Sequence, residues 1–272
     1  MIEFGISFIE FVLATFAPIY VGMFTLVALS RATQIRTRYF FAYALGLLFW
    51  FFFDTLNDAV QLDVNQGYNL DSGHIALITL FLTGFLLFTL VVCALLSKSP
   101  NSGARFETSL PLVILVALAM GIHGIGEGIS FGGLAAGTQA SSVLDAIGGI
   151  GGGIAYVFHK LLESTIVIVV FIAATRSNGL PLHRQLWQII PVGLAFAIPS
   201  AVGEVVGYFV PVDSSWFYAL GAGATLFVVL QVVRPIFATE RAEELTYREY
   251  GKISIAMILG FLLLYAAALF HS

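Results

Sequence analysis

Two pairs of side chains in this sequence have the types and spacing that chemistry requires. His123 and Glu127 stand four residues apart, and so do His159 and Glu163. On a helix, residues four apart share one face. Each pair therefore presents an imidazole and a carboxylate one turn apart. Two such helices side by side offer four ligands of mixed nitrogen and oxygen type, a set that suits Zn²⁺, Fe²⁺, Mn²⁺ and similar divalent ions. With no thiolate in the pattern, the set is not tuned for soft Cu(I). The competing reading is a set of interhelical hydrogen bonds and ion pairs that hold a bundle together.

The segments carrying these residues are strongly apolar. The chain has 272 residues, 59% of them hydrophobic and only 10% charged. Soluble domains carry about 25% charged residues. Mean hydropathy is +0.95. These figures exclude one water-soluble domain and exclude disorder. A net charge of −4 supplies no basic patch for nucleic acid. One cysteine, Cys93, excludes a disulfide framework and a multi-cysteine metal site. The composition predicts an all-α, polytopic membrane bundle forming one transporter-sized domain over 1–272.

A membrane helix needs about 20 mostly apolar residues. Eight stretches qualify, at roughly 6–30, 39–60, 74–97, 109–132, 152–174, 187–210, 215–236 and 251–270. The first has Glu3 and Glu10 where a signal peptide needs basic residues, and it is expected to be a retained helix. Arg31, Arg36, Arg38, Lys98, Arg105, Arg176, Arg184, Arg234, Arg241, Arg248 and Lys252 all fall on one side of this eight-span layout. Basic loops mark the cytoplasmic side, so both termini are expected to be extracytoplasmic. The twelfth basic residue, Lys160, lies inside span 5.

Ionisable groups at mid-membrane cost about 2.5–3.5 kcal/mol each on insertion scales, so they face one another or a wet cavity. Here they are Asp54 and Asp58 in span 2, His123 and Glu127 in span 4, His159, Lys160 and Glu163 in span 5, and Glu204 in span 6. Asp54, Asn57 and Asp58 fit two readings equally, a cation relay at one end of the path or a hydrated end of the span. Asp63 and Asp71, with no basic residue nearby, are expected to concentrate cations locally. Pro191 and Pro199 are expected to bend span 6. Gly124, Gly128 and Gly132, and the pairs Gly148/Gly152 and Gly149/Gly153, have the spacing that lets a second helix approach closely. The stretch Gly148–Gly153 lacks the Gly-Lys-Ser/Thr of a phosphate loop.

In these motifs the sequence resembles the ZIP (Zrt-/Irt-like) divalent metal transporters. Their fourth helix carries His-Asn-x-x-Asp/Glu-Gly, and here it reads His123-Gly124-Ile125-Gly126-Glu127-Gly128. Their fifth carries His/Gln-Glu/Asp-x-x-Glu, and here it reads His159-Lys160-Leu161-Leu162-Glu163. Their seventh-helix pattern is similar to Ala222-Gly223-Ala224-Thr225-Leu226-Phe227-Val228, and their second, loosely, to Asp54-Thr55-Leu56-Asn57-Asp58-Ala59. The resemblance implies a 3+2+3 arrangement of eight helices and a homodimer; with no readable organelle address in the chain, the cell membrane is the default location. It implies a bundle of spans 1, 4, 5 and 6 that carries the metal and slides against a scaffold of spans 2, 3, 7 and 8. It also implies movement of the ion toward the cytoplasm.

The family pattern places two adjacent metal positions at mid-membrane. Here Gly124 and Lys160 replace two ligands of the second position, and an ammonium repels a cation. The expectation is therefore one metal site, of His123, Glu127, His159 and Glu163. Lys160 is expected to fill the second position and to pair with Glu204 or Glu163; its alternative is to snorkel to the interface. The loop 97–108, long and His-rich in many relatives, contains no His here.

The reading is a non-enzyme, with a divalent ion as substrate and no catalytic cofactor. A membrane metalloenzyme is the competitor, but the ferritin-like pattern orders Glu before His and needs more carboxylates. A haem or quinone protein using His123 and His159 is opposed by a carboxylate one turn from each. A ZIP-fold protein that binds metal without transporting it is the remaining alternative.

Overall fold

A computed structural model of the chain describes residues 2–32, 37–60, 72–97, 110–137, 142, 144, 149–177, 179–237 and 246–269. Arg36, Lys98, Arg105, Arg241, Asp63, Asp71, Gly148 and most of the loop 97–108 lie outside these residues. The described residues form eight long helices. They are α1 (Phe4–Ala32), α2 (Thr37–Val60), α3 (Ser72–Ser97), α4 (Leu110–Gly137), α5 (Gly149–Ser177), α6 (Leu182–Phe209), α7 (Ser215–Phe237) and α8 (Tyr247–Ala268). All eight are long and apolar enough to cross a membrane. The protein is an eight-helix integral membrane bundle.

Helices are what such a sequence must form in lipid, because only a helix satisfies its backbone polar groups within one segment. The helices overrun the apolar stretches by up to five residues, since hydrogen bonding continues into the interfacial layer. At α8 the start is set by chemistry that hydropathy does not register. The Thr246 side chain accepts from the Glu249 backbone N–H, an N-terminal cap five residues before the apolar stretch begins.

The helices pack in two groups. α6 lies along α4 in the most extensive contact of the molecule, and α1 packs on α5 and α6. In the second group α2 packs on α7 and α8, and α3 packs on α7. The groups meet where α4 lies against α7 and α2 against α5. This is the division into spans 1, 4, 5, 6 and 2, 3, 7, 8 set out above. Burial makes α4 and α5 innermost: 72% and 78% of their most apolar stretches are buried, against 17% for α3 and 22% for α8.

Glycine sets three of the crossings. A side chain at Gly128 or Gly132 would strike the α6 backbone around Ser200–Tyr208, and one at Gly203 or Gly207 would strike Ile125 or Ile129 on α4. Gly46 and Gly260 join α2 to α8 in the same reciprocal way, and Gly84 and Gly223 join α3 to α7. Gly149 and Gly153 do not behave as their spacing predicts. Gly149 has open space where a side chain would stand and a φ of 73° at the start of α5, and Gly153 meets only the Leu144 side chain. Gly149 starts α5 in the left-handed region, and at neither glycine does the backbone of a second helix approach closely among the described residues.

The large hydrophobic core fills one half of the bundle, from Met23, Leu48 and Met120 through Ile166, Phe196 and Val232. α6 runs through Pro191 and Pro199 as one unbroken helix, not as a broken one.

Candidate metal centre

The four residues come together where the inner helices face each other. His123 and Glu127 project from α4, and His159 and Glu163 from α5. One ligand atom from each lies within 4.8 Å of all the others. His123 Nε2 is 3.3 Å from Glu127 Oε1 and 3.9 Å from Glu163 Oε1. His159 Nε2 is 3.1 Å from Glu163 Oε1 and 3.8 Å from Glu127 Oε1. A tetrahedral ion with ligands at about 2.0–2.1 Å requires edges of about 3.3–3.4 Å. The four His–Glu separations bracket that value, and the whole set, within 4.8 Å, is wider than a closed tetrahedral shell.

The centre is withdrawn from solvent. Side-chain exposure is 5% for His123, 9% for His159, 0% for Glu163 and 14% for Glu127. Glu127 is thus the open edge. Two aromatic rings line the cluster. Phe51 of α2 meets the His123 ring edge-on at 4.4 Å and the His159 ring at 6.2 Å, and Tyr218 of α7 meets His123 at 5.4 Å.

Lys160 is buried, with 1% of the residue exposed, so it does not snorkel. Its ammonium bridges the two carboxylates of the centre. It pairs with Glu127 Oε2, and with Glu163 Oε2 at 2.6 Å. Each carboxylate therefore turns Oε1 toward the imidazoles and Oε2 toward Lys160. The stem passes Tyr156, whose ring centroid is 5.7 Å from Nζ, and the Tyr156 hydroxyl bonds Thr15 Oγ1 at 2.9 Å. With neutral imidazoles, two carboxylates and one ammonium leave the centre at −1, which a divalent ion reverses to +1.

Glu204 is neither a fifth ligand nor the partner of Lys160. It is fully buried on α6 and accepts from Ser7 Oγ of α1 at 2.9 Å. α6 faces α4 through the glycine crossing, and that register turns Glu204 toward α1.

On α2, Asp54 and Asp58 sit within electrostatic reach of the centre, Asp58 interacting with Asp54, His123, Glu127 and His159. Asp58 is exposed and shares a face with Phe51 and Thr55, one turn further along. Asn57 is also exposed and lies about 100° round the helix from Asp58. One contributor has no signal in the sequence pattern. Thr55, buried between Asp54 and Asn57, places Oγ1 3.1 Å from His123 Nδ1. Its partner is on another helix, and spacing along one chain does not reveal such a pair. No protein-family model matches the chain, and no curated protein matches it.

Proposed function

We propose that this protein is a divalent metal cation transporter of the Zn²⁺, Fe²⁺ or Mn²⁺ class, ZIP-like in plan, moving ions across the cell membrane toward the cytoplasm. The observation that carries this reading is the convergence of His123, Glu127, His159 and Glu163 within 4.8 Å of one another in the buried middle of a membrane bundle. Intramembrane charge is expensive and marks an ion path when its groups converge. An ion entering the centre exchanges its water for two imidazoles and two carboxylates. The ligands stand on α4 and α5, the metal-carrying side of the two-group plan. Alternating access then follows from sliding α1, α4, α5 and α6 against α2, α3, α7 and α8, the latter being the fixed part of a homodimer. Lys160 stands where a second ion would bridge the carboxylates, so each transport cycle carries one ion.

A specific observation favours a second reading, metal binding without transport. The ammonium of Lys160 on both carboxylates competes with an incoming cation. Uptake into proteoliposomes across a panel of divalent ions separates the two. The proposal expects saturable uptake of at least one ion, abolished in His123→Ala. Stoichiometric binding without uptake supports the second reading, and absence of binding returns the cluster to an ion-paired bundle core.

A further inference from the structure

His123 is held by the opposite helix group. Phe51 and Thr55 of α2 contact its ring, Tyr218 of α7 lies beside it, and the backbone of Gly221 on α7 approaches so closely that any side chain there would strike the His123 Cα. Of these, only Thr55 reaches a ring nitrogen. Its hydroxyl has one proton and two lone pairs. Oγ1 lies 2.8 Å from the Phe51 carbonyl oxygen, to which it donates, and 3.1 Å from His123 Nδ1. With its own proton committed to Phe51, the hydroxyl is left to accept from Nδ1–H. With a proton held on Nδ1, Nε2 is the nitrogen left for an ion once its own proton to Glu127 is given up, and Nε2 is the atom that faces Glu127 and Glu163.

We infer that Thr55 is a positioning residue of the metal centre: its hydroxyl holds His123 in the Nδ1-protonated form with Nε2 turned to the ion, and in doing so ties α2 to α4 across the seam between the two helix groups. This rests on reading the four residues as a metal centre. Metal-bound histidines generally donate their second ring N–H to an outer partner that fixes tautomer and orientation. The usual carboxylate partner adds basicity to the ligand, whereas a hydroxyl orients it and leaves the charge of the centre unchanged. The bond also crosses the surface along which the two groups would slide, so it breaks each time they part.

The test uses the full-length protein in detergent with Zn²⁺ as the probe. Thr55→Val keeps the shape and removes the hydroxyl, and it is expected to weaken Zn²⁺ binding by about ten- to a hundredfold. Thr55→Ser restores the hydroxyl and is expected to bind within about threefold of wild type. A Val variant that binds as wild type overturns the inference, as does a Ser variant as weak as Val. A second measurement needs no Thr55 variant. ¹⁵N spectra of histidine-labelled, Zn²⁺-loaded wild type are compared with those of His123→Ala, which identifies the His123 signals among the five histidines. A protonated Nδ1 with Nε2 on the metal is expected, and an unprotonated Nδ1 overturns the inference. His123→Ala also separates the two levels of the argument. If it binds Zn²⁺ as wild type does, the metal-centre reading falls and this inference with it. If it loses binding while Thr55→Val keeps it, only the role of Thr55 falls.

Discussion

Each carboxylate of the centre divides its oxygens between two cations, an ion to come on the Oε1 side and Lys160 on the Oε2 side. Removing the ammonium while leaving both carboxylates buried is costly, because breaking a buried pair typically destabilises by about 3–5 kcal/mol. Lys160→Met is therefore expected to lower the thermal unfolding temperature of the metal-free protein, with added Zn²⁺ recovering more of that loss than it adds to wild type. An equal Zn²⁺ shift in both proteins would show that Lys160 and the ion do not share the carboxylates. Lys160→Asp makes the opposite change, placing an acceptor between Glu127 Oε2 and Glu163 Oε2. Equilibrium dialysis is expected to find one Zn²⁺ per chain in wild type and two in this variant. Proton competition has a definite sign as well. A protonated imidazole has no lone pair for a metal, so uptake falls as pH falls. Each proton taken up by an imidazole competes directly with the ion, so metal affinity is expected to fall progressively as pH is lowered from about 7.5 to about 5.5. A flat profile of affinity against pH would remove His123 and His159 from the ligand set. At this scale the sequence was legible where partners share a helix. The four-residue spacing of His123/Glu127 and His159/Glu163 is a property of one chain segment. Lys160 could be placed at the second position with Glu163 as one of two candidate partners, but Glu127 could not be foreseen, because the rotation of α4 and α6 decides that Glu127 meets it and Glu204 meets Ser7. Thr55 was illegible for the same reason.

At the scale of the element, the α4–α6 crossing fixes the rotation of α4 and with it the direction of Glu127. Gly128 lies against the backbone of Ser200–Glu204, and that backbone has no flexible end to yield. Gly128→Ala is expected to destabilise the purified protein by about 1–3 kcal/mol through overpacking and to weaken Zn²⁺ binding by displacing the neighbouring Glu127. Gly251, in the first turns of α8, has open space around it. Gly251→Ala is expected to be neutral or to stabilise by up to about 1 kcal/mol, by the ordinary helix preference for alanine. Thermal unfolding of the two variants checks the contrast, and similar shifts in both would deny the crossing its role. Small-residue spacing announced that Gly124, Gly128 and Gly132 form a packing stripe, but it is silent about the partner. The same spacing meets no second helix backbone at Gly149 and Gly153 among the described residues, and Gly149 serves a helix start. Spacing records what a helix permits, and the neighbour decides whether the permission is used.

At the scale of the whole molecule, the two halves of the bundle are unlike. On one side of the centre the large core closes the space with buried chains such as Met120, Ile166 and Phe196. On the other, Asp58 is exposed, Ser130 and the Tyr218 hydroxyl are 3.4 Å apart, and Glu127 is the least buried ligand. On the transporter reading, an ion is expected to reach the centre from this second side, passing Asp58 and meeting Glu127 first. The uneven distribution of Lys and Arg gives the expectation that this side is the outer face of the membrane. Cysteine accessibility tests both statements together. With the exposed Cys93 replaced by Ser, Asp58→Cys is expected to react in intact cells with a membrane-impermeant thiol reagent, and to react more slowly when Zn²⁺ is present. Met120→Cys, on the core side of the same centre, is expected to resist it. Labelling of Met120→Cys in place of Asp58→Cys would reverse the orientation drawn from the basic residues. Labelling of both would mean that the core does not seal the path. The eight spans and their asymmetry were legible because lipid imposes length and charge rules on each segment separately. Which half of the bundle is closed depends on how side chains from all eight helices meet, and no single segment carries that information.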